Sequence, residues 1–483
     1  MNISQIQALA PIITLSGVII IVLLSIAIKR NFVFSCTITA GGILMTLVAL
    51  VCAWQNAPMQ TTLLIRIDHY ALSFMALLLL AGLAVLGFCY DYFKTRKGQN
   101  EELLVLLLTA LLGASVLIAS THFASFLMGL EILSISLFVL IAYPSNQRHP
   151  LEAAIKYLIL SGVSSAFLLL GMAFIYAQCG ELGFTGIGHF IASQSAMNIM
   201  ILSGIIFIMA GVGFKLSLVP FHLWTADVYQ GAPAPITAFI ATVSKGAVFV
   251  LLLRFFISAD SFIYSQLVNI FSIVAVLTIL IGNLLALLQT HVKRLLAYSA
   301  IGHIGYLLVA FIAMGSIAPA LAVESASFYL VAYFITTIGA FGVISVLSTP
   351  QSEADELSVY RGLFWRQPVL AAVFTLMLLS LAGIPLTVGF IGKFYIFTSG
   401  AAGRLWGLLA AVIVGSGLGL YYYLRVIVMM TRNAEESAVE SKIYNGTWIS
   451  TATLSVLSIL LLWFGIYPDF LVNTIQSVSY TLP

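Results

Sequence analysis

Apolar stretches of about 20 residues follow one another along the whole chain, separated by short polar segments. A stretch of about that length crosses roughly 30 Å of hydrocarbon as an α-helix, which satisfies its own backbone hydrogen bonds. We predict fourteen membrane helices, at residues 9–28, 32–53, 70–90, 103–120, 123–143, 153–178, 198–219, 234–257, 264–288, 295–316, 320–348, 368–399, 403–430 and 448–472. The sequence therefore predicts an all-α polytopic membrane protein without a soluble catalytic domain.

Composition agrees with this prediction and charge adds an orientation. Of 483 residues, 61% are hydrophobic and 8% are charged, whereas about a quarter are charged in soluble domains. The net charge of +3 says little, but its distribution is uneven. One side of the predicted helices carries Lys29, Arg30, Lys94, Arg96, Lys97, Arg148, Lys293, Arg294, Arg361, Arg366, Arg432 and Lys442, and the other carries Arg66, Arg254 and Arg404. The positive-inside rule makes the richer side cytoplasmic and, with an even helix count, puts both termini outside.

Several charged residues lie inside the apolar stretches: Lys156, Lys215, Lys245, Lys393 and Glu131. A charge at the bilayer centre costs about 2.5–3.5 kcal/mol even on the more lenient insertion scale. Burial lowers the pKa of a lysine and a nearby carboxylate raises it, so such groups can take up and release protons. The pattern favours proton movement. We interpret Arg254 and Arg425, which fall near helix ends, as interfacial anchors.

Two of the apolar stretches contain helix-breaking residues and a lysine. They read GVGFKLSLVPFHLW at 211–224 and LAGIPLTVGFIGKFY at 381–395. Proline and glycine interrupt a helix, and paired interruptions in the two halves of a chain indicate an internal repeat. An odd number of helices per repeat, about five, would make the copies inverted. The register is not clean, because Pro220 follows its lysine and Pro385 precedes its own.

Each charged position has a functional and a structural interpretation. Glu131 needs a partner in the membrane, and Lys215 is the first candidate; the alternative is a static ion pair that holds two helices together. Lys245 lies half way along its helix without an acidic residue, which suits a proton acceptor or a satisfied structural lysine. Lys393 follows the second break and is the predicted terminal proton site.

Two histidines and one further lysine are secondary candidates. His303 lies well inside the tenth helix and either bridges protons between lysines or bonds to a backbone carbonyl. His222 belongs to the polar, proline-rich connection after the first break and either lines a proton path or caps the break. Lys156 follows Glu152 by four residues, so a surface pair explains much of it.

Motifs for soluble catalysis are missing from the sequence. It contains no GxGxxG in a strand–helix context, no P-loop and no HExxH, and its four cysteines are scattered without CxxC or histidine pairing. These patterns support neither a nucleotide site nor a metal or iron–sulfur site.

Long runs around these residues carry a family resemblance. GFKLSLVPFHLWTADVYQGAPAPITAFIATVSK (213–245), LEAAIKYLILSGVSSAFLLLG (151–171), KRLLAYSAIGHIGYLLVA (293–310) and LSLAGIPLTVGFIGKFY (379–395) closely resemble the subunit N family of bacterial NADH:quinone oxidoreductase, respiratory complex I. The resemblance implies fourteen helices and two inverted five-helix repeats with the seventh and twelfth helices broken. The corresponding divisions are 1–100, 101–260 (helices 4–8), 261–432 (helices 9–13) and 433–483.

The resemblance also implies roles and partners. Glu131 and Lys215 would form the ion pair of the first half-channel, Lys245 the central relay, His303 a connecting residue and Lys393 the second half-channel site, where the sister subunit M carries glutamate. Electron transfer from NADH to quinone, with FMN and iron–sulfur clusters, would take place in other subunits. The expected partners are the other membrane-arm subunits, including the sister antiporter-like subunits, in the bacterial inner membrane, with no nucleic acid.

Three other interpretations remain open from the sequence. A subunit of a multi-subunit sodium/proton antiporter would share the fold, and the full 213–245 run is the feature that decides against it. A membrane enzyme acting on lipid-linked substrates would need acidic residues or a large loop at one membrane face. A purely structural scaffold would leave Lys215, Lys245 and Lys393 unexplained.

Overall fold

The computed structural model describes residues 2–96, 98–143, 148–193, 198–259, 265–315, 319–433 and 447–479. The predicted cytoplasmic residues Lys97 and Lys442 lie outside these ranges. Two short strands, β1 (Met59–Gln60) and β2 (Arg66–Ile67), pair antiparallel. The helices are α1 (Ile3–Ala8), α2 (Ala10–Ile28), α3 (Phe32–Trp54), α4 (His69–Lys94), α5 (Glu102–Ala119), α6 (Phe123–Ala142), α7 (Arg148–Cys179), α8 (Phe184–Ser193), α9 (Ile199–Leu216), α10 (Trp224–Gly231), α11 (Ala234–Phe239), α12 (Lys245–Ser258), α13 (Ser265–Leu287), α14 (Val292–Ala313), α15 (Pro319–Leu347), α16 (Leu363–Arg366), α17 (Pro368–Ala382), α18 (Val388–Ala402), α19 (Trp406–Thr431), α20 (Trp448–Ile466) and α21 (Asp469–Ser479). A π-helical segment, Ile240–Ser244, joins α11 to α12, and a 3₁₀ turn, Leu357–Tyr360, precedes α16.

Within those ranges, thirteen helices are long and apolar enough to cross a membrane. The remaining predicted helix, the twelfth (368–399), consists of two shorter ones, α17 and α18, because the chain turns at Gly383 and Leu386, which have φ of 86° and 70°. The seventh predicted helix ends at Leu216, where Ser217 adopts φ of 63°, and helical structure resumes in α10. The prediction of a fourteen-span membrane protein with breaks in the seventh and twelfth helices is confirmed.

Boundaries at two other places differ from the predictions. The last predicted helix, 448–472, ends at Ile466, since Pro468 lies ahead of α21. Helix α21 is amphipathic and buries Leu471, Ile475 and Val478. The connection 179–197 contains the short helix α8, which is amphipathic as well. Both were overlooked because a window of membrane length averages out a short one-sided pattern.

Burial separates central helices from peripheral ones. In the spans Ala234–Ser258 and Val292–Ala313 every residue of the apolar stretch is buried, whereas in Ala10–Ile28 only 28% of those residues are buried. Lipid tails are as apolar as leucine, so helices in a membrane associate through close packing of small residues. At Gly113 an added Cβ would lie 2.6 Å from the backbone nitrogen of Leu133, which shows how closely α5 approaches α6. The helices that carry Lys245 and His303 therefore form the centre of the protein.

The prediction that Arg254 is an interfacial anchor is wrong. Its side chain is fully buried and makes two hydrogen bonds, of 2.7 and 2.8 Å, to the carboxylate of Asp68. Its Nε donates to the Ile118 carbonyl at 3.0 Å. Asp68 also accepts from the Ala71 amide at 2.8 Å and thereby caps α4. The pair ties α12, near the chain centre, to the start of α4 and the end of α5. Arg425 donates to the Leu287 and Gln289 carbonyls at the end of α13.

We expect Asp68→Ala to destabilise the protein by about 3–5 kcal/mol, because removing one partner of a buried ion pair leaves the other charge uncompensated. The measurement is the thermal unfolding midpoint of the detergent-solubilised protein. Arg66→Ala is the matched control: Arg66 lies 3.7 Å from the same carboxylate but is partly exposed, so we expect a loss of about 1 kcal/mol or less. Equal losses in both variants would contradict the assignment of Arg254 as the stabilising partner.

Candidate functional site

Lys215 occupies the last turn of α9, just before the break. The Leu218 amide donates to the Gly213 carbonyl at 2.7 Å, and the Trp224 indole donates to the Phe214 carbonyl at 3.0 Å. These bonds close the end of the helix and fold the following segment back against it. The C-terminal end of a helix carries partial negative charge, which favours a cation there. The break therefore provides a polar, electronegative position inside the membrane for a buried lysine.

The Lys215 ammonium bonds to two serines. Its Nζ donates to Ser134 at 2.7 Å and to Ser161 at 2.5 Å. The carboxylate of Glu131 accepts a short hydrogen bond from Ser165 instead. Serines 161 and 165 are one turn apart on the same face of α7. The predicted partners are thus brought into one cluster, but they are connected through the serines of α7 and α6 rather than by a direct ion pair.

Lys245 lies at the end of the π-helical segment, in the middle of the membrane helix formed by α11 and α12. Its side chain is 1% exposed, and its Nζ has no hydrogen-bond partner among the described residues. The ammonium lies 5.4 Å from the centre of the Tyr229 ring, and the Tyr229 hydroxyl likewise has no partner in this part of the chain. Single-turn π-bulges occur often at functional sites. Lys245 is the mid-membrane lysine without acidic neighbours on its helix, as predicted.

His303 bonds to two tyrosines, and not to a backbone carbonyl. Its Nδ1 lies 2.5 Å from the Tyr329 hydroxyl and its Nε2 lies 3.2 Å from the Tyr423 hydroxyl. The Tyr423 hydroxyl also makes a short hydrogen bond with Ser299. The Tyr333 ring lies 5.5 Å from the imidazole. His303 is therefore the centre of a buried cluster of hydroxyl groups.

Lys393 lies beside the second break, as Lys215 lies beside the first, but its acceptor differs. Its Nζ donates at 2.7 Å to the carbonyl of Ala382, the last residue of α17. It also lies 5.4 Å from the centre of the Tyr306 ring, which packs against His303 at 5.6 Å. A helix end thus supplies the acceptor for Lys393, whereas serine hydroxyls supply the acceptors for Lys215. Tyr306 places the Lys393 ammonium next to the His303 cluster.

The secondary candidates lie closer to the basic side. His222 is buried in the first break, and its Nδ1 has no hydrogen-bond partner within the described segments. Lys156 pairs with Glu152 at 2.8 Å, as its spacing predicted, and with Asp227 at 2.9 Å. Burial by itself would raise the pKa of Asp227, but hydrogen bonds from Lys156 and Arg294 hold that pKa below its ordinary value. Lys156 therefore belongs to a partly exposed charge network and lies apart from the mid-membrane lysines.

The sequence analysis missed the hydroxyl groups that surround the charges. Tyr329 and Tyr333, and likewise Ser161 and Ser165, are spaced four residues apart and so share a helix face. That spacing is a detectable signal for a polar stripe within an apolar helix. Tyr423 and Tyr229 carry no such signal, because their contacts come from helices distant in sequence.

Comparison with known proteins gives consistent matches over the chain. A family described as NADH:quinone oxidoreductase/Mrp antiporter, TM matches residues 120–419. The chain is 50% identical to NADH-quinone oxidoreductase subunit N of Methylococcus capsulatus over 100% of its own length and 97% of that protein.

Solved structures agree with the sequence matches. A chain of respiratory complex I from Thermus thermophilus is 30% identical, with a TM-score of 0.82, covering 96% of this chain and 98% of that one. A chain of the Mrp complex from Dietzia sp. is 16% identical with a TM-score of 0.86, over 100% and 98% of the two chains, and this shows the shared fold alone. The chain therefore belongs to the NADH:quinone oxidoreductase/Mrp antiporter family of membrane subunits.

Proposed function

We propose that this chain is the N-type membrane subunit of an NADH:quinone oxidoreductase and that it carries protons across the membrane. The residues proposed to carry them are Glu131, Lys215, Lys245, His303 and Lys393, with Lys156 and His222 as secondary groups. NADH, FMN, iron–sulfur clusters and quinone belong to other subunits, so this chain performs no redox chemistry by itself. The full-length similarity to subunit N supports this assignment.

The observation that carries the proposal is the hydrogen-bonding state of Lys245. An ammonium has three donors, and a buried charge without acceptors is strongly disfavoured. Lys245 has none among the described residues and is 1% exposed, although a structural lysine would be expected to have partners. A lysine that is charged only transiently, while a proton passes, meets this constraint. The arrangement favours the relay interpretation over a satisfied structural lysine.

The first half of the path begins at Glu131. The short Ser165 contact on Glu131 and the Ser161 contact on Lys215 leave one helical turn of α7 between the two charges. Hydroxyl groups both donate and accept hydrogen bonds, so they suit transfer between a carboxylate and an amine. Closing this gap would form the ion pair and stabilise the ammonium, and opening it would release the proton.

The second half of the path joins Lys245 to Lys393. Tyr229 of α10 lies beside Lys245, Tyr333 of α15 lies beside His303, and Tyr306 contacts both His303 and Lys393. Buried polar groups without protein partners are commonly bonded by internal water. We infer that such water completes the connection from Lys245 to His303.

The energy scale is compatible with electrostatic coupling. Moving one charge against 100 mV takes about 2.3 kcal/mol, and each unit of pKa change is worth about 1.4 kcal/mol. Changes in charge on neighbouring subunits during quinone reduction would therefore need to alter the lysine pKa values by only a few units. We propose that protons come from the cytoplasm and leave on the opposite side.

We also propose how the chain divides into repeats and lies in the membrane. Counted as predicted from the sequence, membrane helices 4–8 (residues 101–260) and 9–13 (residues 261–432) would be two inverted repeats. Residues 1–100 and 433–483 would flank them. The two breaks support this division, since each falls in the fourth helix of its repeat. Orientation in a bacterial inner membrane would place both termini on the periplasmic side, and the sister antiporter-like subunits would be neighbours in the membrane arm.

The second candidate function is a subunit of a multi-subunit sodium/proton antiporter. The high TM-score to the Mrp chain favours keeping it, but the identity to that chain is only 16%. Membranes that lack NADH-driven activity yet exchange sodium for protons through this subunit would support the alternative.

We expect Lys215→Ala, in the assembled complex, to lower NADH-driven quinone reduction and proton pumping together. The loss should be about a hundredfold or more, since positioned acid–base groups contribute about 10²–10⁴-fold. The measurement is quinone reduction and proton uptake by membrane vesicles, normalised to assembled complex on a native gel. The control is Lys29→Ala, which removes an exposed lysine and should retain the parent's quinone reduction and proton pumping. Normal pumping in an assembled Lys215→Ala complex would refute the proposed role.

Tyr423→Phe tests the His303 cluster. Removing this hydroxyl takes one hydrogen-bond partner from the buried imidazole, at a cost of about 1–3 kcal/mol. A rise of about 1.4 kcal/mol in the barrier to proton transfer lowers the rate tenfold, so we expect coupled turnover to fall about tenfold. Tyr421→Phe is the matched control, because Tyr421 lies two residues away on the same helix and is 65% exposed. If the two variants retain the same turnover, the hydroxyl at 423 is not part of the path.

A further inference from the structure

A polar cavity of about 430 Å³ opens on the basic side of the protein, beside the corner between α10 and α11. Its lining includes Tyr92, Asp227, Gln230, Glu353 and Asp355. These residues come from the N-terminal segment, from the first half of the chain and from the loop that follows α15. The cavity therefore lies where three parts of the chain meet, and the corner beside it separates Lys215 from Lys245 in sequence.

Lys293 contacts the end of α10 at this corner. Its side chain is fully buried, and its Nζ donates to the Gln230 carbonyl at 2.9 Å and to the Ala232 carbonyl at 2.6 Å. The third contact is a short ion pair with Glu353. All three donors of the ammonium are thus used. Lys293 is a capping residue for α10, because the last carbonyls of a helix lack partners within the helix.

Glu353 contacts the start of α11, on the other side of the corner. Its carboxylate accepts from the Ala234 amide, at the start of α11, at 3.2 Å, and makes short contacts with the Tyr92 hydroxyl and with Lys293. Lys293 thus binds the end of α10 while Glu353 binds the beginning of α11. The ion pair between them joins two consecutive helix ends, and Tyr92 connects the pair to α4.

The loop that carries Glu353 is fixed to both halves of the protein. The Val292 amide donates to the Asp355 carbonyl at 2.6 Å, and Gln230 donates to the Asp355 carboxylate at 2.8 Å. Arg96, stacked on the Tyr92 ring at 3.3 Å, donates to the Thr349 carbonyl at 2.6 Å. The loop between α15 and α16 is consequently a strap across the α10–α11 corner, and movement of the second half would reach the corner through it.

We propose that Glu353 and Lys293 form a positioning pair that fixes the α10–α11 corner and couples it to the second half of the protein. The pair acts through Lys215, on α9 ahead of α10, and Lys245, on α12 after α11, and it carries no proton itself. This inference rests on the proposed function, since positioning matters only if those lysines carry protons.

The test is Glu353→Gln in the complete complex. Glutamine preserves the shape and an acceptor for Tyr92 and Ala234 but removes the charge that faces Lys293. We expect coupled turnover per assembled complex to fall about two- to thirtyfold, the range for a residue that transmits coupling between sites, and the number of protons pumped per quinone reduced to fall as well. A purely structural residue would change the amount of complex and leave that ratio unchanged.

Glu356→Gln is the matched control. Glu356 lies on the same loop, is exposed, and accepts from its near neighbour Ser358 at 3.0 Å. It should retain the parent's turnover and proton ratio. The double variant Glu353→Gln, Lys293→Gln should lose less than the sum of the single losses, because both changes break the same pair. Lys293→Gln can reduce assembly, so Glu353→Gln decides the test.

The outcomes separate this inference from the proposed function. If Lys215→Ala abolishes pumping and assembled Glu353→Gln has the parent's turnover and proton ratio, the positioning pair is overturned and the proposed function stands. If Glu353→Gln lowers only the amount of complex, the pair is structural and the inference is wrong. If Lys215→Ala pumps normally, the proposed function itself fails.

Discussion

The structure depends on one constraint, which is that a charge inside hydrocarbon needs a partner supplied by the protein. Lipid offers no hydrogen-bond partner to an ammonium or a carboxylate, so a buried charge depends on the groups that the protein places around it. The charges of Asp68 and Arg254 are paired in a bidentate ion pair. The Lys293 ammonium is bonded to two carbonyls and a carboxylate. These pairs hold together helices that are far apart in sequence.

A helix break provides the hydrogen-bond acceptor of one lysine of the proposed relay. A continuous helix uses its carbonyls internally, whereas an interrupted helix exposes the last ones. Lys393 bonds to such a carbonyl at Ala382, and Lys215 lies in the last turn of α9. At the second break the chain turns at Gly383, with φ of 86°, directly after the carbonyl that Lys393 uses. The breaks and the lysines are two parts of one arrangement.

The sequence predicted the features that the membrane imposes locally. The fourteen spans and both breaks could be predicted, because each depends only on residues that are consecutive in the sequence. Those residues give the length and apolarity of a span and the helix breakers around Lys215 and Lys393. The partner of Arg254 could not, because Asp68 is 186 residues away and nothing in either local pattern points to the other. The same holds for Tyr423 beside His303, since only packing of α19 against α14 brings them together. The serine link between Glu131 and Lys215 depends on α7 in the same way.

Two fully buried lysines show how much the surroundings decide a residue's role. Lys293 has an acceptor for each of its three donors, whereas Lys245, on the described residues, has none. A satisfied ammonium is held in place with its charge, and it can organise two helix ends. An unsatisfied amine has no such hold and exchanges its proton at less cost. We therefore propose the same side chain as a fixed positioning group at the α10–α11 corner and as a proton carrier at the centre, and the difference lies in which carbonyls and carboxylates the fold brings within reach.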